Sequence, residues 1–150
     1  MKNINKLLTG ILTITLILGL SACDKALEVI TLAEERAVTL ELLSTDPWGA
    51  SAITRSDVDA ASEFPDFSLA FGDGRYTAEN GKHVWADAGT WEFVKDRSDQ
   101  IIRDDDVIID LDIDGDKLTL SFELEENVFS IGGRSQTALS RFIFNLFRRP

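Results

Sequence analysis

Two hydrophobic periods divide the chain. From Asp24 to Ser44 apolar residues return every three or four positions, with Ile30, Ala33, Ala37 and Leu40 on one face, which predicts a helix. Glu34, Glu35, Arg36 and Glu41 fall largely elsewhere. Ser44-Thr45-Asp46-Pro47 ends the pattern, because proline drives the preceding residue out of helical geometry. After Pro47 the period drops to two. Strands are expected over Trp48–Arg55, around Phe67-Leu69-Phe71, over Arg75–Glu79, at Thr90–Val94 and at Gln100–Arg103. Val107–Ile113 and Leu118–Leu124 alternate most clearly and meet at Asp114-Gly115-Asp116, a hairpin turn. Arg141–Arg148 closes the series, and its run Phe142–Phe147 is apolar on both faces, as an edge covered by the helix would be. Ser56–Pro65 and Glu125–Ser140 read as long connections.

The pattern thus predicts a mainly β fold, an antiparallel meander of about eight strands after one helix. Such a sheet escapes free edges by closing into a barrel. At eight strands a barrel interior is either just filled by side chains or holds one small ligand.

The amino terminus follows neither period. Met1–Lys6 carries two lysines and no acid, and Leu7–Leu20 runs without a charge. At 1.5 Å per residue that run makes roughly 21 Å of helix, short of the ~30 Å hydrocarbon core. A removable export signal over residues 1–22 is expected rather than a span. Leu20-Ser21-Ala22-Cys23 then resembles the lipobox of bacterial lipoproteins. The resemblance implies cleavage before Cys23, a diacylglycerol on its thiol and acylation of the new amino terminus. Two or three chains give effectively stable attachment, since each buried methylene adds about 0.8 kcal/mol. Cys23 is the only cysteine, so no internal disulfide competes for it. Asp24 resembles an inner-membrane retention signal of some lipoproteins, which leaves the final leaflet open. The implied organisation is a signal at 1–22, a lipidated amino terminus and helix at 23–46, and a barrel domain at 47–150.

Charge narrows the partners. The net charge is −11, and loss of Lys2 and Lys6 with the signal takes it to −13. Nucleic acid demands clustered cations and is excluded as a partner. Anionic lipid is disfavoured too, so membrane contact falls to the lipid anchor. Asp104–Asp106, Asp110, Asp112, Asp114 and Asp116 crowd one segment, which reads as a solvated loop and strand face.

No catalytic or metal-binding set emerges. Asp110-x-Asp112-x-Asp114-Gly115 opens like a calcium-binding EF-hand, but the twelfth position is Ser121 rather than glutamate and the flanks are strands. A looser calcium contact at Asp104, Asp105 and Asp106 is the weaker alternative. His83, the only histidine, reads as an exposed loop residue beside Asn80-Gly81, and no serine sits in G-x-S-x-G. Gly72-Asp73-Gly74 and Gly132-Gly133 do not open helices, so no phosphate loop is expected. The chain is read as non-catalytic and without cofactor. Trp48, Trp85, Trp91 and the nine phenylalanines at alternating positions are either core or the walls of an apolar cavity.

Leu42-Leu43…Pro47-Trp48, Phe71-Gly72-Asp73-Gly74-Arg75-Tyr76, Gly89-Thr90-Trp91-Glu92-Phe93 and Leu118-Thr119-Leu120-Ser121-Phe122 together resemble the segments of small bacterial lipocalin-like lipoproteins, in the same order. The resemblance implies a lipocalin-like barrel tethered in the cell envelope, on the periplasmic face or cell surface. With the alternation, it leads to two expectations. One is a barrel that binds a small apolar ligand or a protein partner; its ligand-lining residues would be Leu69, Phe71, Tyr76, Trp91, Phe93, Leu120 and Phe122. The other is a structural envelope protein acting through its acidic outer face.

Overall fold

The computed structural model describes residues 31–129 and 135–149. Cys23, the signal, Asp24–Ile30 and Gly132-Gly133 lie outside them. The chain divides into two units, Met1–Glu35 and Arg36–Pro150. In the first, residues 31–35 are described and are helical. They begin α1, residues 31–44, and no described helix is long and apolar enough to cross a membrane.

In the second unit α1 ends where Pro47 predicts. The hydroxyls of Ser44 and Thr45 donate to the carbonyls of Leu40 and Glu41, filling acceptors that the last turn leaves open. Its packed face differs from the predicted one. Ala33 and Ala37 are exposed, whereas Arg36 and Leu40 are partly buried and Leu43 has no exposed surface. Two leucines offer more apolar area than two alanines. Arg36 joins them because its guanidinium reaches the carbonyls of Val94 at 2.7 Å and Arg97 at 2.8 Å and lies over the Phe93 ring.

Nine strands follow among the described residues: β1 (Trp48–Arg55), β2 (Val58–Asp59), β3 (Ser68–Gly72), β4 (Arg75–Glu79), β5 (Ala88–Phe93), β6 (Gln100–Arg103), β7 (Ile108–Asp114), β8 (Lys117–Phe129) and β9 (Ser135–Arg148). Each of β3 to β8 pairs antiparallel with the strand that follows it. β1 pairs with β3 through Trp48↔Leu69 and with β9 from Trp48↔Arg148 to Arg55↔Phe142, which closes an eight-stranded barrel. The architecture is consistent with a lipocalin-like barrel. β2 stands outside the wall, folded back on the end of β1 by Ser56 and Asp57, both at positive φ.

Alternation sets the inward face as expected. Ile109 and Leu111 of β7 face Phe122 and Leu120 of β8, which in turn oppose Phe142 and Phe144 of β9. All six are buried. β9 is an interior strand, not the covered edge that its apolar run implied: Phe142, Phe144 and Leu146 point inward, and Ile143 is half-buried on the other side. Trp48 anchors one end. Its indole N–H donates to the Leu43 carbonyl at 3.0 Å, and the Arg148 guanidinium covers its ring at 5.1 Å.

One expected connection is a strand instead. Pairing of β8 with β9 runs from Lys117↔Phe147 to Phe129↔Ser135, so much of Glu125–Ser140 is ladder. Pairing of β7 stops at Ile109↔Phe122 and that of β1 at Arg55↔Phe142. Beyond those points β8 and β9 form a two-stranded ribbon. Only Leu124 at its base packs against the core, so from Glu125 onward its sequence is free of the alternation that marks the walls.

Candidate functional site

The seven residues expected to line a ligand all come to the interior. Leu69, Phe71, Tyr76, Trp91, Leu120 and Phe122 are buried, and Phe93 is partly buried against them. They touch one another: Phe71 meets Trp91 edge-on at 5.9 Å and Trp91 meets Phe93 at 5.2 Å. The lumen between them holds Trp85. This indole has no exposed surface and packs on Tyr76 at 5.4 Å, Phe122 at 5.7 Å and Phe144 at 6.3 Å. It enters from the loop after β4, where the amides of Val84 and Trp85 both donate to the Gly81 carbonyl. Gly81 is required there, since a Cβ would lie 2.5 Å from that of Trp85. At Gly89 a Cβ would likewise strike the Tyr76 ring, the residue opposite on β4.

Arg103 is the one buried polar or charged residue of the described core. Its guanidinium stacks on Trp85 at 4.6 Å, donates to the Val84 carbonyl at 2.8 Å and binds Asp105 through Nε at 3.0 Å and again through Nη2. Partial burial works against the Asp105 charge, but the hydrogen bond and charge of Arg103 prevail and hold its carboxyl below the usual aspartate value. Burial raises the Tyr76 hydroxyl above its ordinary value, with Arg103 opposing. Sequence reasoning missed both Trp85 as a plug and Arg103 as its support. The signal for Arg103 was present, because Ile101 and Arg103 share the inward period of β6.

His83 lies exposed on its loop, as expected, and its Nε2 meets Glu126 at 3.0 Å. Arg55 pairs with Glu63 at 2.8 Å and approaches Glu126 at 3.7 Å. Partial burial of Glu126 is outweighed by hydrogen bonds from Ser140 and His83 and by the Arg55 charge, so its carboxyl is held low. The carboxylate stands between serine and imidazole. That is not the order in which a histidine takes a serine proton.

Asp110 and Asp112 of β7 face Ser121 and Thr119 rather than other acids, and Gln100 donates to Asp110 at 2.6 Å. Among the described residues no three His, Cys, Asp or Glu side chains converge as metal ligands. A groove of about 760 Å³ lies outside the barrel, between the turn before β7 and the base of the ribbon. It is lined by exposed Ile108 and Leu139, five carboxylates and Arg141. No protein-family model and no curated protein matches the chain.

Proposed function

We propose that this protein is a lipid-anchored, lipocalin-like barrel of the bacterial cell envelope that works by binding a partner protein through its outer surface, without catalysis. The observation that carries this reading is the position of Trp85. With that indole in the lumen, Leu69, Phe71, Tyr76, Trp91, Phe93, Leu120 and Phe122 act as core, and an apolar ligand would have to displace it. What remains for recognition is the wall, where exposed acids and the groove lie. The anchor rests on Leu20-Ser21-Ala22-Cys23 after an apolar run of signal length.

Site-directed crosslinking in intact envelopes tests the reading. It should trap a defined protein, and reversing the charge at Asp110 and Asp112 should abolish the adduct. In parallel, titration with a hydrophobic probe should leave tryptophan fluorescence without a saturable change. A saturable change would return the function to the lumen.

A further inference from the structure

We propose that the open edge of β8, over Glu123–Phe129, receives an extended segment of the partner as an added strand, in which lysine or arginine alternates with apolar residues. This rests on the reading of the barrel as a surface-binding protein and names the site and the chemistry of its partner.

The edge is open because β7 cannot lengthen along it. After Arg103 the chain turns through Asp104–Val107, with Asp106 at positive φ and the Arg103 amide bonded to the Val107 carbonyl at 3.0 Å. Buried Arg103 fixes the turn by gripping Asp105, whose carboxylate also accepts from the Val107 amide. Among the described residues, pairing with β7 therefore ends at Phe122, while β8 continues paired to β9 alone. Alternate residues of a strand direct both N–H and C=O to the same side, so half of Glu123–Phe129 offers unpaired groups away from β9. Such an edge is a template for an added strand, in which main-chain bonds supply affinity and alternate side chains supply specificity.

The groove beside this edge selects the side chains. Asp105, Asp106, Asp110, Glu123 and Glu125 line it against the single guanidinium of Arg141, and Ile108 and Leu139 leave apolar surface exposed there. Glu123 and Glu125 are exposed on the outer face of β8, about 7 Å apart at the rise of two strand residues. A strand laid antiparallel to β8 repeats that interval, so a cation at every second position meets them in turn. The intervening residues fall on the other face, beside partly buried Leu124. A second copy of this chain is a poor occupant. It would bring the same carboxylates to the groove, on a molecule of net charge −11. Anionic lipid meets the same repulsion.

The test uses the full chain in detergent and a labelled peptide of alternating lysine and valine. Controls are a glutamate–valine peptide and a lysine–valine peptide interrupted by prolines, which keeps its charge but loses its donors. Fluorescence anisotropy should show saturable binding of the first peptide, with at least tenfold weaker binding of both controls. Glu123→Lys/Glu125→Lys should weaken binding at least tenfold, Glu125→Lys alone should weaken it measurably, and Glu92→Lys on another wall should not. Hydrogen exchange should slow at Glu123–Phe129 on binding. Equal affinity for the proline peptide, or no binding at all, overturns the added strand. Protection on another wall overturns this edge yet leaves the surface-binding reading intact, whereas failure of the envelope crosslinking defeats that reading itself.

Discussion

Trp85 and Arg103 hold each other in place, and each leaves a different mark on stability. Truncating Trp85 opens the centre of an aromatic cluster whose rings are fixed by strands and cannot collapse inward. Trp85→Ala should cost about 3–5 kcal/mol, read from urea unfolding, and Trp85→Phe distinctly less. A cost under about 1 kcal/mol for the alanine variant would mean that the indole is not a structural plug. Arg103 makes a prediction about pH. Its partner Asp105 has a carboxyl held below the ordinary value of 3.8, so the folded state binds that proton less readily than the unfolded chain. The stabilisation is therefore present above about pH 4 and is lost as pH falls through the folded value. Asp105→Asn should lower stability at pH 7 and flatten the stability–pH curve in the acid range. The effect is modest, because the Asp105 side chain is 50% exposed and screened by solvent. A parallel downward displacement of the curve at every pH would assign the loss to packing instead. Periodicity carried a signal for Arg103, on the inward side of β6, but none for Trp85. Trp85 sits in a loop, where no alternation exists, and only the three-dimensional path after Gly81 carries it into the barrel.

At the scale of elements, legibility follows burial on one side. Strands with one core face and one solvent face, such as β3, β4, β7 and the first half of β8, announce themselves by alternation and were expected within a residue or two, whereas β9 was expected only from Arg141 although it begins at Ser135. Beyond Leu124, the last ribbon residue of β8 packed against the core, the alternation stops, and Glu125–Ser140 therefore read as a connection. The helix face was misjudged for a related reason. Spacing alone does not distinguish Ala33 and Ala37 from Leu40 and Leu43, whereas the barrel end selects the larger side chains and the hydrogen-bonding reach of Arg36. The same distinction predicts dynamics. Amides of Leu118–Phe122 lie in a ladder flanked on both sides, but those of Glu123–Phe129 are flanked on one. Hydrogen exchange in the free protein should be markedly faster in the ribbon than in the walls, since local opening there exposes little apolar surface. Equal protection across Phe122 would show that another part of the chain already covers the edge.

For the whole molecule, closure was legible because a meander of this strand number has two edges and removes both by joining its first and last strands, as β1 and β9 do. Whether the closed barrel would be hollow was not legible, because aromatic residues at alternate positions serve equally as cavity wall or as core. The surface charge also bears on attachment. A domain this acidic is repelled by anionic lipid, so the proposed membrane attachment falls on a covalent lipid at Cys23, which lies outside the described residues. Two consequences separate a lipid tether from peripheral binding. Washing membranes at high salt should leave the wild-type protein in the pellet, because acyl chains are held by hydrophobic transfer rather than by charge. Cys23→Ser should either appear in the soluble fraction or remain uncleaved with its signal, and radiolabelled palmitate should mark the wild type alone. Processed Cys23→Ser protein retained on the membrane would require a second attachment, which the acidic wall makes hard to supply except through a protein partner.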